Sequence, residues 1–144
     1  MFLGETDAAR VDGLIDVLAD VARRHEPYET RVNGAGGHVD DRPGARRGGV
    51  AWLTLDAGFS QTADLSLDVD ASIEARTYDA RRRPRPHLTV ARAVDADALS
   101  ALRDHALTLR LAWLTSSLVL FRSVLGQGGS RYEPLATLAL AEAS

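Results

Sequence analysis

The sequence contains no cysteine and no lysine among its 144 residues. Without cysteine, the chain can form no disulfide framework, no thiolate zinc site and no cysteine nucleophile. All 17 basic residues are arginines, whose guanidinium groups suit phosphate oxygens, although a coding bias toward arginine would give the same composition. The net charge of −3 argues against a protein that coats nucleic acid by bulk attraction.

Long apolar runs are missing as well. The most apolar window covers only residues 111–121 and lies between Arg110 and Arg122, whereas a membrane-spanning helix needs about 18 apolar residues. The opening letters, MFLGETD, lack the basic segment and apolar core of a signal peptide. We therefore predict a single globular domain over residues 1–144, with no membrane partner and a cytoplasmic location.

In the first part of the chain, apolar spacing predicts a helix followed by strands. Residues 7–22 carry apolar side chains at helical spacing, and Thr6 is the expected N-cap. Residues 28–33 and 50–55 are predicted as strands because apolar residues alternate or cluster there. Between them, residues 34–49 are rich in Gly, Asp and Arg, which indicates a long loop.

The second part of the chain predicts a further helix and a hairpin. Residues 65–73 fit both strand and helix periodicity, so local pattern leaves this segment open. Residues 87–92 are predicted as a short strand, followed by a helix with Asp95 as its N-cap. Residues 117–125 and 132–140 are apolar enough to form two buried strands, joined by a Gly-rich turn.

One short segment, PHLTVAR, carries residues with catalytic chemistry. In a strand, the period of two sends His87 and Thr89 to one face and Leu88 and Val90 to the other, which we expect to face the core. Imidazole can take or give a proton, and a threonine hydroxyl can hydrogen-bond a phosphate oxygen. Arg92 lies in the same segment. By spacing alone, the same pattern also fits a solvated strand face without function.

Five segments, in order, resemble motifs of the 2H phosphoesterase superfamily and, within it, of the 2′-5′ RNA ligase-like RNA 2′,3′-cyclic phosphodiesterases. They are FLGE at residues 2–5, VAWL at 50–53, RPHLTVAR at 85–92, LFRS at 120–123 and GGSRY at 128–132. The resemblance implies an α+β fold with two pseudo-symmetric lobes of antiparallel sheet, helices packed outside and a central cleft. It also places a helix over residues 61–74, which decides the ambiguous segment in favour of helix.

The same resemblance implies an activity. It is the hydrolysis of RNA 2′,3′-cyclic phosphodiester ends to 2′-phosphates, with 2′-5′ RNA ligation as the reverse reaction. RNA with a cyclic phosphate or a 2′-5′ linkage is the implied partner, and we expect no metal and no other cofactor. His87 is the implied acid or base and Thr89 the ligand of the scissile phosphate. Arg92 and Phe2 would flank the nucleotide, against the alternatives of a surface arginine and a core phenylalanine.

The family is characterised by two His-x-Thr/Ser motifs, whereas this sequence contains one. By the resemblance, the first histidine would precede Phe2 by five residues and fall before Met1. We therefore expect a domain that lacks its first strand, impaired activity, and self-association through an exposed sheet edge, whereas a full-length chain would be a monomer. The alternatives are a non-catalytic relative that binds RNA ends and a fragment without function.

Three further features are weaker candidates for the site. Tyr132 and Ser123 match positions of the family, although a tyrosine in a buried hairpin is more often a packing residue. The RRRPR segment at residues 81–85 could steer substrate phosphates toward the cleft, and the alternative is a solvated connection between elements.

The other three histidines are interpreted as structural residues and not as site residues. His25 and His105 are expected near the C-termini of helices, where a positive charge is favourable. His38 is expected in the Gly-rich loop. Because no histidine pair has the spacing of a helical metal site, the sequence predicts no metal ligands.

Overall fold

The structure is a computed structural model that describes residues 3, 5–39, 48–73, 85–127 and 129–141. Helices and strands are mixed along the chain. They are a 3₁₀ turn at Ala8–Arg10, α1 at Val11–Ala22, β1 at Tyr28–His38, β2 at Gly49–Ala57, α2 at Phe59–Ser72, β3 at His87–Val94, α3 at Ala96–Ala106, β4 at Ala112–Thr115, β5 at Ser117–Gly126 and β6 at Gly129–Ala139. The predicted α+β class is confirmed.

The described elements belong to two compact units. One unit contains α1, the greater part of α2 and the antiparallel pair of β5 and β6. The other contains α3 and a sheet with the strand order β3-β2-β1-β4. We call them the hairpin unit and the sheet unit. Each combines segments that are distant in sequence, so neither is visible as a continuous stretch of the chain.

The hairpin unit has a core between its two helices. The buried side chains come from one face of α1, from α2 and the residue after it, from the first residue of β1 and from the residue after β6. They are Leu18, Val21, Ala22, Tyr28, Leu65, Val69, Ile73 and Leu140. The helix that the family resemblance placed over residues 61–74 is therefore confirmed as α2, and its apolar residues at spacing four face this core. Among the described residues, no helix has the length and apolarity to cross a membrane.

The first helix begins differently from the prediction. Asp7, and not Thr6, accepts the hydrogen bond from the backbone N of Ala9, at 3.0 Å. A 3₁₀ turn then leads directly into α1. Both side chains can serve as caps, but Asp7 directly precedes the turn. Its negative charge also interacts favourably with the positive end of the helix dipole.

The C-terminal hairpin is confirmed, but its strands are not buried as predicted. Phe121, Tyr132 and Leu125 are 51%, 64% and 85% exposed. Only one face of the strand pair contributes to the core, through partly buried residues such as Leu118 and Leu120. A strand in a two-stranded sheet alternates its side chains between faces, so the apolar residues of the other face stay exposed.

In the sheet unit, β2 contains the strand predicted over residues 50–55 and is an interior strand. It pairs antiparallel with β1 on one side and with β3 on the other. The inward face of the sheet packs around Val32 and Leu53 together with Ala106 of α3. The predicted cap of α3 is confirmed, because the carboxylate of Asp95 accepts a hydrogen bond from the backbone N of Ala98 at 2.8 Å.

The predicted loop from residue 34 is wrong at its start, because β1 continues through the glycines to His38. The glycines make room for side chains on both faces of the sheet. A Cβ at Gly36 would lie 2.6 Å from Nε1 of Trp52, and one at Gly37 would lie 2.3 Å from Cδ1 of Leu99. Low strand propensity is therefore outweighed by close packing, and His38 lies on a strand instead of a flexible loop.

Candidate active site

β3 carries the predicted site residues at one edge of the described sheet. His87 lies opposite Thr54 of β2, and Thr89 lies opposite Trp52. Thr54 and Trp52 are two residues apart on β2 and therefore share a face of the sheet. Residues that lie opposite each other on paired strands also share a face, so His87 and Thr89 are on the same face, as predicted. Both residues are exposed, and His87 is not packed into the core.

A bulge in β3 brings Arg92 to this face as well. Thr89 pairs with Trp52 and Ala91 pairs with Ala51, which leaves Val90 as an extra residue in β3. A regular strand would place Thr89 and Arg92 on opposite faces, because they are three residues apart. The extra residue shifts the alternation by one, so Arg92 lies opposite Val50 and shares a face with Thr89. We call this surface the polar face of the sheet.

The inward side of β3 is less buried than the sequence suggests. Leu88 lies opposite Leu53, which is on the core side, but it is still 37% exposed. Val90 is the bulged residue and is 49% exposed, so its prediction as a core residue is wrong. An edge strand has a neighbour on one side only, and a bulged residue has no partner in the ladder.

The imidazole of His87 is oriented by the backbone. Its Nδ1 is 2.7 Å from the carbonyl oxygen of Arg85. A carbonyl oxygen can only accept, so Nδ1 carries the hydrogen and Nε2 has the lone pair of the neutral ring. The ring therefore presents Nε2 as the nitrogen that can exchange a proton with a bound molecule.

Trp52 lies on the polar face, opposite Thr89, but was not among the site residues predicted from the sequence. Its ring lies beside the imidazole of His87, with the ring centroids 5.7 Å apart and the planes tilted by 57°. A signal was present, because Trp52 and Thr54 alternate with the buried residues Ala51 and Leu53. A tryptophan on the outward side of such a strand is available to contact a ligand.

The polar face also carries an ion pair between Arg31 of β1 and Asp56 of β2. Arg31 binds Asp56 with two hydrogen bonds, from Nε at 3.0 Å and from Nη2 at 3.2 Å. These hydrogen bonds hold the pKa of the Asp56 carboxyl below its ordinary value. Asp56 therefore stays ionised with its charge offset, and Arg31 already has a partner.

Two of the predicted groups cannot be placed. Phe2 and residues 81–84 of the arginine-rich segment lie outside the described residues, so their roles stay predictions. Arg85 is described and contributes its carbonyl oxygen to His87. Within the described part of the chain, no group of three His, Asp or Glu side chains is arranged to hold a metal ion.

The weaker candidates on the hairpin are paired with each other. Ser123 of β5 lies directly opposite Tyr132 of β6. Tyr132 is 64% exposed, so the interpretation as a buried packing residue is wrong. Both residues belong to the hairpin unit, whereas His87, Thr89 and Arg92 belong to the sheet unit.

His25 belongs to a charged cluster in the hairpin unit. It follows the end of α1, as predicted, but its Nε2 lies 3.0 Å from the carboxylate of Asp68 on α2. Arg24 binds the same carboxylate through Nε at 3.0 Å and Nη2 at 2.8 Å. The hydrogen bond from Arg24, followed by that from His25, holds the pKa of Asp68 below its ordinary value.

His105 is also placed as predicted, in the last turn of α3. Its Nδ1 hydrogen-bonds the carbonyl oxygen of Ala101 at 2.9 Å, one turn earlier in the helix. This ring has the same kind of backbone anchor as His87 but belongs to α3 and not to a strand of the polar face. It therefore provides a matched control for experiments on His87.

Comparisons with known proteins agree with this fold. A search of curated proteins finds no match. The crystal structure of TT0787 of Thermus thermophilus superposes with a TM-score of 0.67 and 22% identity, over 99% of this chain and 76% of that one. The crystal structure of a phosphoesterase superposes with a TM-score of 0.61 and 21% identity, over 97% and 74%. At such identities the likeness shows the fold. The sequence profile of the 2′-5′ RNA ligase superfamily matches residues 1–127, and the chain therefore belongs to this family.

Proposed function

We propose that the chain acts on RNA 2′,3′-cyclic phosphodiester ends and opens them to 2′-phosphates, with 2′-5′ ligation as the reverse reaction. Membership of the superfamily supports phosphodiester hydrolysis or ligation in general, and RNA as the substrate class. The observation that carries the proposal is on the polar face. An exposed His87, anchored through Nδ1, shares that face with Thr89 and Arg92.

In the proposed reaction, water attacks phosphorus and the bond from phosphorus to the 3′-oxygen of the ribose breaks. The water loses a proton and the departing 3′-oxygen gains one. Nε2 of His87 performs one of these transfers, because the Arg85 carbonyl holds Nδ1 and no residue in the described ranges hydrogen-bonds Nε2. The hydroxyl of Thr89 donates a hydrogen bond to a non-bridging phosphate oxygen, and Arg92 flanks the nucleotide with its positive charge.

Trp52 supports this arrangement through its contact with the His87 ring. An indole beside an imidazole limits the orientations of the imidazole. Gly36 lets the indole lie close over β1. Trp52 is thus a positioning residue in the proposal, because it acts through His87. Phe2 remains a proposed contact to the nucleotide.

The second proton transfer takes place on the opposite side of phosphorus from the first. The imidazole of His87 cannot perform both transfers, because it lies on one side only. The sequence holds one His-x-Thr pair, so we expect slow turnover. A positioned acid or base contributes roughly 10²–10⁴-fold to a rate, or about 3–5 kcal/mol of barrier. The same observation favours a second candidate function, a non-catalytic protein that binds RNA ends through His87, Thr89 and Arg92.

Incubation with 2′,3′-cyclic AMP and with cyclic-ended RNA tests both candidates. We expect adenosine 2′-phosphate as the product from the mononucleotide, identified by chromatography, for the wild-type chain and for His105→Asn alike. Binding of the product without turnover would favour the second candidate. Absence of both binding and turnover would contradict both, and a 3′-phosphate product would contradict the proposed leaving oxygen.

A further inference from the structure

Two exposed basic residues flank Val50 on the polar face. His38, the last residue of β1, lies opposite Val50 on one side, and Arg92 lies opposite Val50 on the other. His38 reaches this place because β1 extends through the glycines, and Arg92 reaches it because of the bulge at Val90. Both side chains are exposed. The three positions form one line across three neighbouring strands, on the face that carries His87.

At this end of the polar face, two basic groups have no carboxylate partner within the part of the chain that the structure describes. Over residues 5–39, 48–73 and 85–127, neither Arg92 nor His38 takes part in an ion pair. Asp56 lies on the same face of β2 as Val50 and Trp52, but its carboxylate is bound to Arg31. A guanidinium and an imidazole that are both unpaired and on one face can bind an anion together.

The distance from the proposed scissile phosphate matches one nucleotide. Thr89 lies opposite Trp52 and Arg92 lies opposite Val50, two residues further along β2. At about 3.4 Å per residue, the two places are roughly 7 Å apart. In a 3′-terminal nucleotide, one ribose separates the cyclic phosphate from the 5′-phosphate. A nucleotide with its cyclic phosphate at Thr89 would thus place its 5′-phosphate near Arg92 and His38.

We propose that Arg92 and His38 form a second phosphate subsite, which binds the 5′-phosphate of the terminal nucleotide. The substrate class is then an RNA chain, or at least a 5′-phosphorylated nucleotide, in preference to a free cyclic nucleoside phosphate. This inference rests on the proposed function, because it places the scissile phosphate at His87 and Thr89. The guanidinium offers a fork of N–H donors, and the imidazole of His38 can donate one N–H in either protonation state.

The subsite can be tested by binding alone, with adenosine 2′-phosphate and adenosine 2′,5′-bisphosphate as a pair that differs in one phosphate. We expect the wild-type chain to bind the bisphosphate about tenfold more tightly in isothermal titration calorimetry. His38→Ala and Arg92→Gln should each reduce this ratio to about threefold or less. The matched controls His105→Ala and Arg110→Gln remove the same groups elsewhere in the sheet unit and should keep the full ratio.

The outcomes separate the inference from the proposed function. Equal binding of the two ligands, or a full ratio in His38→Ala, would overturn the inference and leave the proposed function intact. An equal loss in the Arg110→Gln control would also overturn it, because net charge would then explain the preference. Failure of the wild-type chain to bind either ligand would overturn the proposed function and the inference together.

Discussion

His25 and His87 have the same chemistry in different surroundings. In the hairpin unit, the Nε2 of His25 is bonded to the carboxylate of Asp68, which also binds Arg24. In the sheet unit, His87 hydrogen-bonds the backbone carbonyl of Arg85 through Nδ1, and none of the described residues hydrogen-bonds its Nε2. The side chain of His25 is 19% exposed, whereas His87 is exposed on the polar face.

Under the proposed function, the difference separates a structural histidine, His25, from the proposed proton-transfer residue, His87. A histidine whose Nε2 already binds a carboxylate ties two helices together and has no free nitrogen for a substrate. A histidine that is held through Nδ1 by a carbonyl is oriented without being occupied. The type of partner and the nitrogen involved therefore carry more information about function than the spacing of histidines in the sequence.

The largest expected effect is on catalysis, from His87→Asn. Asparagine keeps a polar group of moderate size but cannot exchange a proton near neutral pH, so kcat/KM for 2′,3′-cyclic AMP should fall roughly 10²–10⁴-fold. Thermal stability should change little, because the residue is exposed. His25→Asn should do the reverse, lowering the unfolding temperature and leaving kcat/KM unchanged. If His25→Asn instead abolishes turnover and His87→Asn does not, the comparison is wrong.

A smaller effect on the same reaction is expected from Thr89→Val. Valine has nearly the same shape and suits a strand, so the change removes the hydroxyl with little disturbance of β3. Losing a hydrogen bond to a charged oxygen costs roughly 1.5–3 kcal/mol, which corresponds to about a 10–100-fold lower kcat/KM. Thr108→Val, in the loop after α3, removes a hydroxyl elsewhere in the sheet unit and should leave the rate unaltered.

The smallest expected effect is on stability, from Asp68→Asn in the hairpin unit. The hydrogen bonds from Arg24 and His25 lower the pKa of Asp68 in the folded chain. Its contribution is therefore present above the ordinary aspartate pKa of about 3.9 and is lost as the pH falls through the lowered folded-state value. We expect Asp68→Asn to cost about 1 kcal/mol at pH 7, measured by urea unfolding.

The pH dependence provides the check on this variant. The stability difference between wild type and Asp68→Asn should shrink as the pH falls below about 4, because the wild-type carboxyl then becomes protonated. A difference that stays constant down to the most acidic pH at which the chain folds would mean that the carboxylate charge contributes nothing. Turnover should be the same in both proteins.

Features that depend on neighbouring residues in the sequence were predictable. The cap at Asp95 and the hairpin between β5 and β6 follow from local chemistry, and both are confirmed. The face shared by His87 and Thr89 follows from the period of a strand. The helix α2 did not follow from its own pattern, because its apolar residues fit two periods, and the family resemblance decided it.

Features that depend on pairing between strands were not predictable. The bulge at Val90, which turns Arg92 to the side of Thr89, exists only in the register between β3 and β2. The extension of β1 through Gly36 depends on the indole of Trp52, which comes from another strand. A single sequence shows neither strand register nor cross-strand packing. The positions of His87 and Thr89 on one face were therefore predictable, whereas the other residues of the polar face were not.

The most direct test is a ¹⁵N NMR spectrum of the histidine side chains, recorded with and without adenosine 2′-phosphate. We predict that neutral His87 carries its hydrogen on Nδ1 and that the ligand shifts the Nε2 resonance of His87, while the resonances of His25 stay in place. If neutral His87 instead carries its hydrogen on Nε2, or if the ligand shifts His25 and not His87, the proposed role of the polar face is contradicted.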